Sequence, residues 1–318
     1  MNSDKNKERC IIYGGGGFIG SHLCEKLLEL DYDVTVFDKL NFSKKNISHL
    51  LDRIRVIEGD FNNEFDLMNS LKGIDFVYHL VSTTLPANSN DNPEYDAETN
   101  LISSLKLFKE SVNLKIKKII FLSSGGTVYG IPDEIPVKEN YYSNPVCSYG
   151  IIKRTIEEYL YLYKFLYGQK YFVFRLSNPY GERQNPNAAQ GAIAVFLNKV
   201  INGEKIEIWG DGEVIRDYIY IKDAVEMLAM SLVTESEESV FNLSTGQGYS
   251  LNQVIEIIQN ITDKKVNVEY QKARKLDVPV NILDNSSARK FFKWKPHTKL
   301  EDGMKKTYDH FLKEKNNA

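Results

Sequence analysis

Tyr149 and Lys153 stand four residues apart in Ser148-Tyr149-Gly150-Ile151-Ile152-Lys153, at the start of a helix-periodic run, so their side chains share one helix face. A phenol titrates near 10, and nearby positive charge stabilises its anion and lowers that value. Tyr149 is therefore a candidate base and Lys153 its electrostatic support. Tyrosine and lysine at this spacing also meet by chance, and Tyr159, Tyr161, Tyr163 and Tyr167 make the segment tyrosine-rich. A second constellation is Ser123-Ser124-Gly125-Gly126-Thr127, directly after the apolar run Lys118 to Leu122. Hydroxyls at the end of a strand can bind a substrate hydroxyl and pass its proton to a phenolate; the same residues also suit an ordinary polar turn.

The third constellation is Tyr13-Gly14-Gly15-Gly16-Gly17-Phe18-Ile19-Gly20, between the apolar run Cys10 to Tyr13 and the amphipathic run Phe18 to Leu30. A strand that turns through glycines into a helix leaves N–H groups free at the helix start, where a diphosphate meets the positive dipole end. Gly14, Gly17 and Gly20 fit a tight turn, close backbone approach to a pyrophosphate, and close helix-to-strand packing. Without more, a four-glycine run is also just a flexible turn. The strand Val34 to Phe37 ends in Asp38, where an acid can accept from the ribose hydroxyls of NAD and repel the extra phosphate of NADP. Lys39 beside it moderates that preference for NAD.

These residues need a frame. Further apolar runs at 54–57, 76–80, 118–122 and 172–174 alternate with helix-periodic segments at 63–71, 96–113 and 148–167. The pattern predicts an α/β fold, a doubly wound parallel sheet covered on both faces, with ligands at the carboxyl ends of its strands. From Gly181 onward the elements shorten, which predicts a smaller mixed α/β lobe. The expected division is a Rossmann domain over 1–176, rejoined by 219–243, and a substrate lobe over 177–318.

With 318 residues, 42% hydrophobic and 26% charged, the chain is long enough for one large or two modest domains. A net charge of −3 gives no basic field for nucleic acid or for an anionic membrane. The polar stretch Met1 to Arg9 lacks the apolar core of a signal peptide, and no long apolar run follows, so a cytoplasmic protein is expected. Cys10, Cys24 and Cys147 are too few and scattered for a disulfide framework or a metal cluster; none is expected.

Taken together, Gly14-x-x-Gly17-x-x-Gly20, Asp38, Asp60, Asn100, the stretch Ser123 to Gly130, Tyr149-x-x-x-Lys153 and Arg175 to Gly181 resemble the extended short-chain dehydrogenase/reductases. The likeness is closest to the NAD-dependent epimerase/dehydratase group and its UDP-glucose 4-epimerases. It covers nearly the whole chain, since Trp209 to Gly212, Arg216 to Tyr218 and Lys293 to Pro296 also match. The resemblance implies that Phe18 and Ile19 lie against the cofactor, that Asp60 and Phe61 contact its adenine, and that Leu80, Val81, Ser82, Asn100 and Ser123 border its nicotinamide half. Lys153 is to bind the nicotinamide ribose. It further implies that Asn178, Arg216 and Arg274 hold the diphosphate of a UDP-sugar, where a guanidinium fork is well suited. Ala192, Phe196 and Trp209 are to line the nucleobase pocket, and Asn281 to gate the sugar's 2-substituent. Arg216 could alternatively pair with Asp217 or Asp211. A homodimer through the helices at 96–113 and 148–167 is also implied.

Two departures bear on this. Many family members carry the catalytic serine or threonine where this chain has Gly125, so that role shifts to Ser124 or Thr127. Lys293 stands where the family usually has a glycine before its tryptophan, a feature expected to affect stability and not chemistry. Dehydratases of this kind place acids at the positions of Gly126 and Thr127, and decarboxylases a glutamate near Thr127; this chain has neither. The expected reaction is epimerisation at carbon 4 of a UDP-hexose by oxidation and re-reduction. The alternatives are UDP-glucuronate 4-epimerisation or another nucleotide-sugar epimerase/dehydratase reaction, and, behind these, a non-catalytic NAD-binding protein.

Overall fold

Strand β1 (Arg9–Tyr13) is buried on both faces from Cys10 to Tyr13, because side chains alternate across a strand and all four of these positions are apolar. Cys10 and Ile12 enter one apolar cluster, and Ile11 and Tyr13 the other. Truncating such a residue to alanine costs about 2–5 kcal/mol. The computed structural model describes residues 7–188, 190–273 and 278–316.

Helix α1 (Phe18–Glu29) follows β1, and the same alternation continues through β2 (Asp33–Asp38), β3 (Arg55–Glu58), α2 (Glu64–Ser70) and β4 (Phe76–His79). Then come α3 (Pro93–Asp96), a π turn (Ala97–Ile102), α4 (Ser103–Asn113), β5 (Lys118–Ser124), α5 (Ser148–Tyr167) and β6 (Tyr171–Leu176). The later half contributes β7 (Asn178–Tyr180), α6 (Ala192–Asn202), β8 (Ile206–Trp209), β9 (Ile215–Tyr220), α7 (Ile221–Met230) and β10 (Val240–Leu243). It ends with β11 (Gly248–Ser250), α8 (Leu251–Thr262), β12 (Val268–Gln271), β13 (Val280–Asn281), α9 (Ser286–Phe292) and α10 (Leu300–Asn316).

Among the described residues, seven strands form one parallel sheet in the order β10-β6-β5-β4-β1-β2-β3, the doubly wound α/β fold that the alternating pattern predicts. The chain runs outward from β1 to β3 and restarts on the other side at β4. The carboxyl ends of β1 and β4 therefore frame a crevice, the usual ligand site of such sheets. Strand β10 comes from the later half yet pairs with β6, and α7 packs beside α1. Above the sheet, β9 pairs with β7, β11 and β13, and β8 pairs with β12.

Lys293 caps α9 in the left-handed region, φ +50°, between buried Phe292 and Trp294. That backbone conformation is why a glycine suits the position, and the lysine bears its cost. Among the described residues no helix is long and apolar enough to cross a membrane.

Candidate active site

The glycine-rich turn is built for close approach. Gly14 adopts φ +85°, and a Cβ on Gly20 would sit 2.4 Å from the Gly14 carbonyl oxygen, so a larger residue there would push α1 off the turn. Asp38, at the tip of β2, accepts from the Gly16 N–H at 3.0 Å and the Lys39 N–H at 2.9 Å. Burial raises its pKa against those two bonds. A cradle that a Cβ would fill, with an acid at its rim, fits a dinucleotide.

Above β1, β4 and β5 lies a cavity of about 760 Å³, a volume typical of small-molecule sites. Its wall brings together Phe18 and Ile19 from the start of α1, Leu80 and Ser82 after β4, Ser123 and Ser124 at the end of β5, and Thr127 just beyond it. Tyr149 and Lys153 face it from α5, Asn178 from β7, Ala192 and Phe196 from α6, and Trp209 and Arg216 from β8 and β9. A smaller concavity at the amino ends of β1 and β2 holds Arg9, Asp31 and Asp33 and lies away from these groups.

Helix α5 starts at this wall because a distant loop caps it. Its N-cap residue, Cys147, makes no side-chain cap. Instead Asn90 Oδ1 accepts from the Ser148 N–H at 2.9 Å and Ser89 Oγ from the Tyr149 N–H at 3.1 Å. Two N–H groups that no turn of helix can satisfy are thereby bonded. Ser148 Oγ donates to buried Asp96 at 2.7 Å, and Thr84 Oγ1 donates to the other oxygen of the same carboxylate at 2.7 Å. Asn100 completes that cluster, donating to Asp96 Oδ1 at 2.9 Å and Thr83 Oγ1 at 2.7 Å. Asn100 therefore spends its amide on the loop that caps α5.

Lys153 is buried and donates to the Leu122 carbonyl at 3.0 Å, with its ammonium 5.6 Å from the centre of the Tyr149 ring. Burial lowers its pKa to about 8, against the pull of Asp96 and Glu157. The Tyr149 phenol behaves differently from the expectation of a lowered pKa. Burial, then the charges of Cys147 and Asp96, push it far above 10, and the hydrogen bond with Ser82 opposes them only in part. In the protein chain alone the phenol is therefore held protonated.

The two candidate hydroxyls, Ser124 and Thr127, both lie on the cavity wall, and Thr127 Oγ1 is buried without a hydrogen-bond partner. Ser123, also on the wall, gives its hydroxyl hydrogen to Glu157 at 2.5 Å. Glu157 in turn holds buried Arg175, Nη2 to Oε2 at 2.6 Å, an ion pair that the sequence pattern did not reveal because its members lie on separate elements. Asn178 donates to the Asp217 carbonyl at 3.0 Å, and Arg216 to the Ile215 and Val278 carbonyls at 2.9 and 2.6 Å. Asp60 accepts from Asn62, and Phe61 is buried against Tyr13 and His79. Val81 lies against the Gly14 turn, 3.4 Å from where a Cβ on Gly14 would sit. Asn281 is 1% exposed and donates to the Gly125 carbonyl at 3.2 Å, between the wall residues Ser124 and Gly126. Arg274 lies outside the described residues. Gln184, on the wall beside Asn178, had no signal in the sequence beyond its place after Gly181.

Residues 10–244 match the model of the NAD dependent epimerase/dehydratase family. The solved structure of a UDP-glucose 4-epimerase from Thermotoga maritima with UDP-glucose is 37% identical, covering 96% of this chain and 99% of that one, with a TM-score of 0.90. A UDP-N-acetylglucosamine 4-epimerase from Methanobrevibacter ruminantium M1, solved in complex with UDP-N-acetylmuramic acid, is 31% identical over 97% and 99% of the two chains, TM-score 0.91. A dTDP-4-dehydro-6-deoxyglucose reductase of Escherichia coli is 35% identical, covering 95% of this chain and 97% of that protein. The protein belongs to the NAD-dependent epimerase/dehydratase family, enzymes of nucleotide-sugar chemistry whose cofactor is NAD.

Proposed function

We propose that the protein is a cytoplasmic, homodimeric 4-epimerase of UDP-hexoses, acting on the glucose and galactose pair and on their N-acetylated counterparts. One observation carries the reading: Tyr149 and Lys153 share a cavity wall with the start of α1 and with Asn178 and Arg216, while Gly126 and Thr127 put no carboxylate on that wall. Elimination of water or carbon dioxide needs such an acid; oxidation and return at carbon 4 does not. NAD bound on the glycine-rich turn supplies reversible two-electron oxidation. Tyr149 Oη accepts the proton of the 4-hydroxyl, with Ser124 or Thr127 as the relay. Lys153, together with the cofactor's positive charge, would oppose the burial and the Cys147 and Asp96 charges that keep the phenol protonated. Asn178, Arg216 and Arg274 would grip the diphosphate while the 4-keto sugar turns to present the opposite face of carbon 4 for re-reduction, and Tyr149 would return its proton to the carbon-4 oxygen.

The same reading divides the chain into an NAD-binding unit over 1–176, rejoined by 219–243, and a sugar-nucleotide lobe over 177–318. The dimer is argued from the apolar residues left on α5 and next to α4: Ile102, Ile151, Tyr161 and Phe165 are 46%, 51%, 60% and 76% exposed. The likeness to a reductase makes net reduction of a 4-keto sugar the second reading. Incubation of the NAD-loaded protein with UDP-glucose, UDP-N-acetylglucosamine and UDP-glucuronate, and separately with a nucleotide-linked 4-keto-6-deoxy sugar plus NADH, followed by NMR of the products, tests both. Interconversion of gluco and galacto forms without consumption of added NADH supports epimerisation. A 6-deoxy product, a pentose, or stoichiometric loss of NADH overturns it.

A further inference from the structure

Two side chains, Arg183 and His22, fasten the corner Glu182–Gln184 to helix α1. Arg183 adopts φ +66°, a conformation that non-glycine residues take only when their surroundings enforce it. Its guanidinium, 13% exposed, donates to Glu25 Oε2 at 2.6 Å and His22 Nδ1 at 2.7 Å, both on α1, and to the Asn46 carbonyl at 3.1 Å. Because Nδ1 of His22 accepts, its Nε2 carries the proton and donates to the Glu182 carbonyl at 2.9 Å. Burial first, then the Arg183 charge, lowers the His22 pKa to about 4, which keeps the ring neutral and this bonding pattern intact. Glu25 Oε1 meets His49 at 2.5 Å, and Glu182 Oε1 accepts from Tyr220 at 2.7 Å.

One residue on, Gln184 faces the cavity. Its Nε2 donates to the Pro179 carbonyl at 3.2 Å, while Oε1 is buried without a hydrogen-bond partner. A Cβ on Gly191 would lie 2.6 Å from Nε2, so the start of α6 packs directly on this amide. A buried amide oxygen without a donor is costly, and a ligand hydroxyl would relieve it.

We propose that Arg183 is a positioning residue: by locking the Glu182–Gln184 corner onto α1 it presents the Gln184 amide oxygen as an acceptor for a hydroxyl of the bound nucleotide-sugar. The identity of that ligand rests on the function proposed above; the locking does not. Helix α1 also supplies Phe18 and Ile19 to the cavity, so one helix registers both ends of the site.

The test is a double-mutant cycle on the NAD-loaded protein with Arg183→Ala, Gln184→Ala and the pair, plus Arg183→Lys. It reads UDP-glucose and UDP affinity by calorimetry, KM and kcat, and backbone hydrogen exchange over 182–193. Gln184→Ala is expected to weaken UDP-glucose binding about tenfold. Arg183→Ala should do the same through KM more than kcat, with faster exchange at 182–193. The pair should be no worse than the worse single change, because both remove one interaction. Arg183→Lys keeps the charge but not the fork, so its loss should be intermediate. UDP weakened equally assigns the contact to the ribose, and UDP unchanged assigns it to the sugar; either supports the proposal. Additive losses, or unchanged UDP-glucose affinity in a folded Gln184→Ala variant, overturn it. Should wild-type protein bind no UDP-sugar, the proposed function fails instead. The exchange arm then still decides whether Arg183 locks the corner, and unchanged exchange in Arg183→Ala refutes the lock. If Arg183→Ala does not fold, Arg183→Lys and Gln184→Ala complete the comparison.

Discussion

Helix α5 carries two buried charges four residues apart that live in opposite circumstances. Lys153 has a single carbonyl partner, and burial takes its pKa down to about 8. Glu157, one turn on, is held by Arg175, Arg154 and Ser123. Burial works against the Arg175 charge too, yet Glu157 and Tyr129 outweigh it and push its pKa up. Where partners are complete the network fixes the fold. Where they are few, as at Lys153, or withheld, as at Thr127 and Gln184, the wall keeps bonding capacity for something that enters the cavity.

Four changes probe that contrast. Tyr149→Phe removes the proton acceptor from the under-bonded face, so turnover should fall by about 10²–10⁴-fold with NAD retained and the thermal midpoint little changed. Near-normal interconversion of UDP-glucose by this variant would end the catalytic assignment. Glu157→Ala strikes the paired face and leaves Arg175 and its charge buried. Denaturant titration should read a loss of about 3–5 kcal/mol, and a loss under one would mean that the network is ornamental.

The third concerns pH. His22 is neutral in the fold with its pKa lowered from 6.5 to about 4, so below 6.5 the unfolded chain binds more protons. Stability present above pH 6.5 is then lost as pH falls toward 4, by roughly 3 kcal/mol in all. A His22→Gln variant should flatten that slope in unfolding measured between pH 7 and 4; an unchanged slope would assign the acid lability elsewhere. The smallest effect is expected at Lys293→Gly, where relief of the left-handed backbone should add about 1 kcal/mol and leave kinetics untouched. A destabilised variant would show that the lysine side chain matters more than its φ.

How much of this was legible beforehand follows from the range of each interaction. Both ends of α5, the strands at 9–13, 33–38 and 118–124, and the glycine-rich turn follow from periodicity and local turn chemistry, which act over a few residues. The pairing of Tyr149 with Lys153 is equally local. The loop that caps α5 was not legible, because Asn90 and Ser89 lie 58 and 60 residues from the N–H groups they satisfy. Nor was the depth of burial that drives the Tyr149 phenol up, since desolvation depends on what packs around a group and not on its neighbours in the chain.

The sequence by itself determined the sheet, the glycine cradle and the face on which Tyr149 and Lys153 stand, for those need only hydrophobic period, chain stiffness and helix geometry. Only tertiary structure decided that Asn281 bonds Gly125 outside the cavity wall, that Asn100 braces α5, and that Arg183 joins α1 to the wall through Gln184. Hydrogen bonds and burial are settled by which segments meet in space, and a linear pattern contains no distances between them.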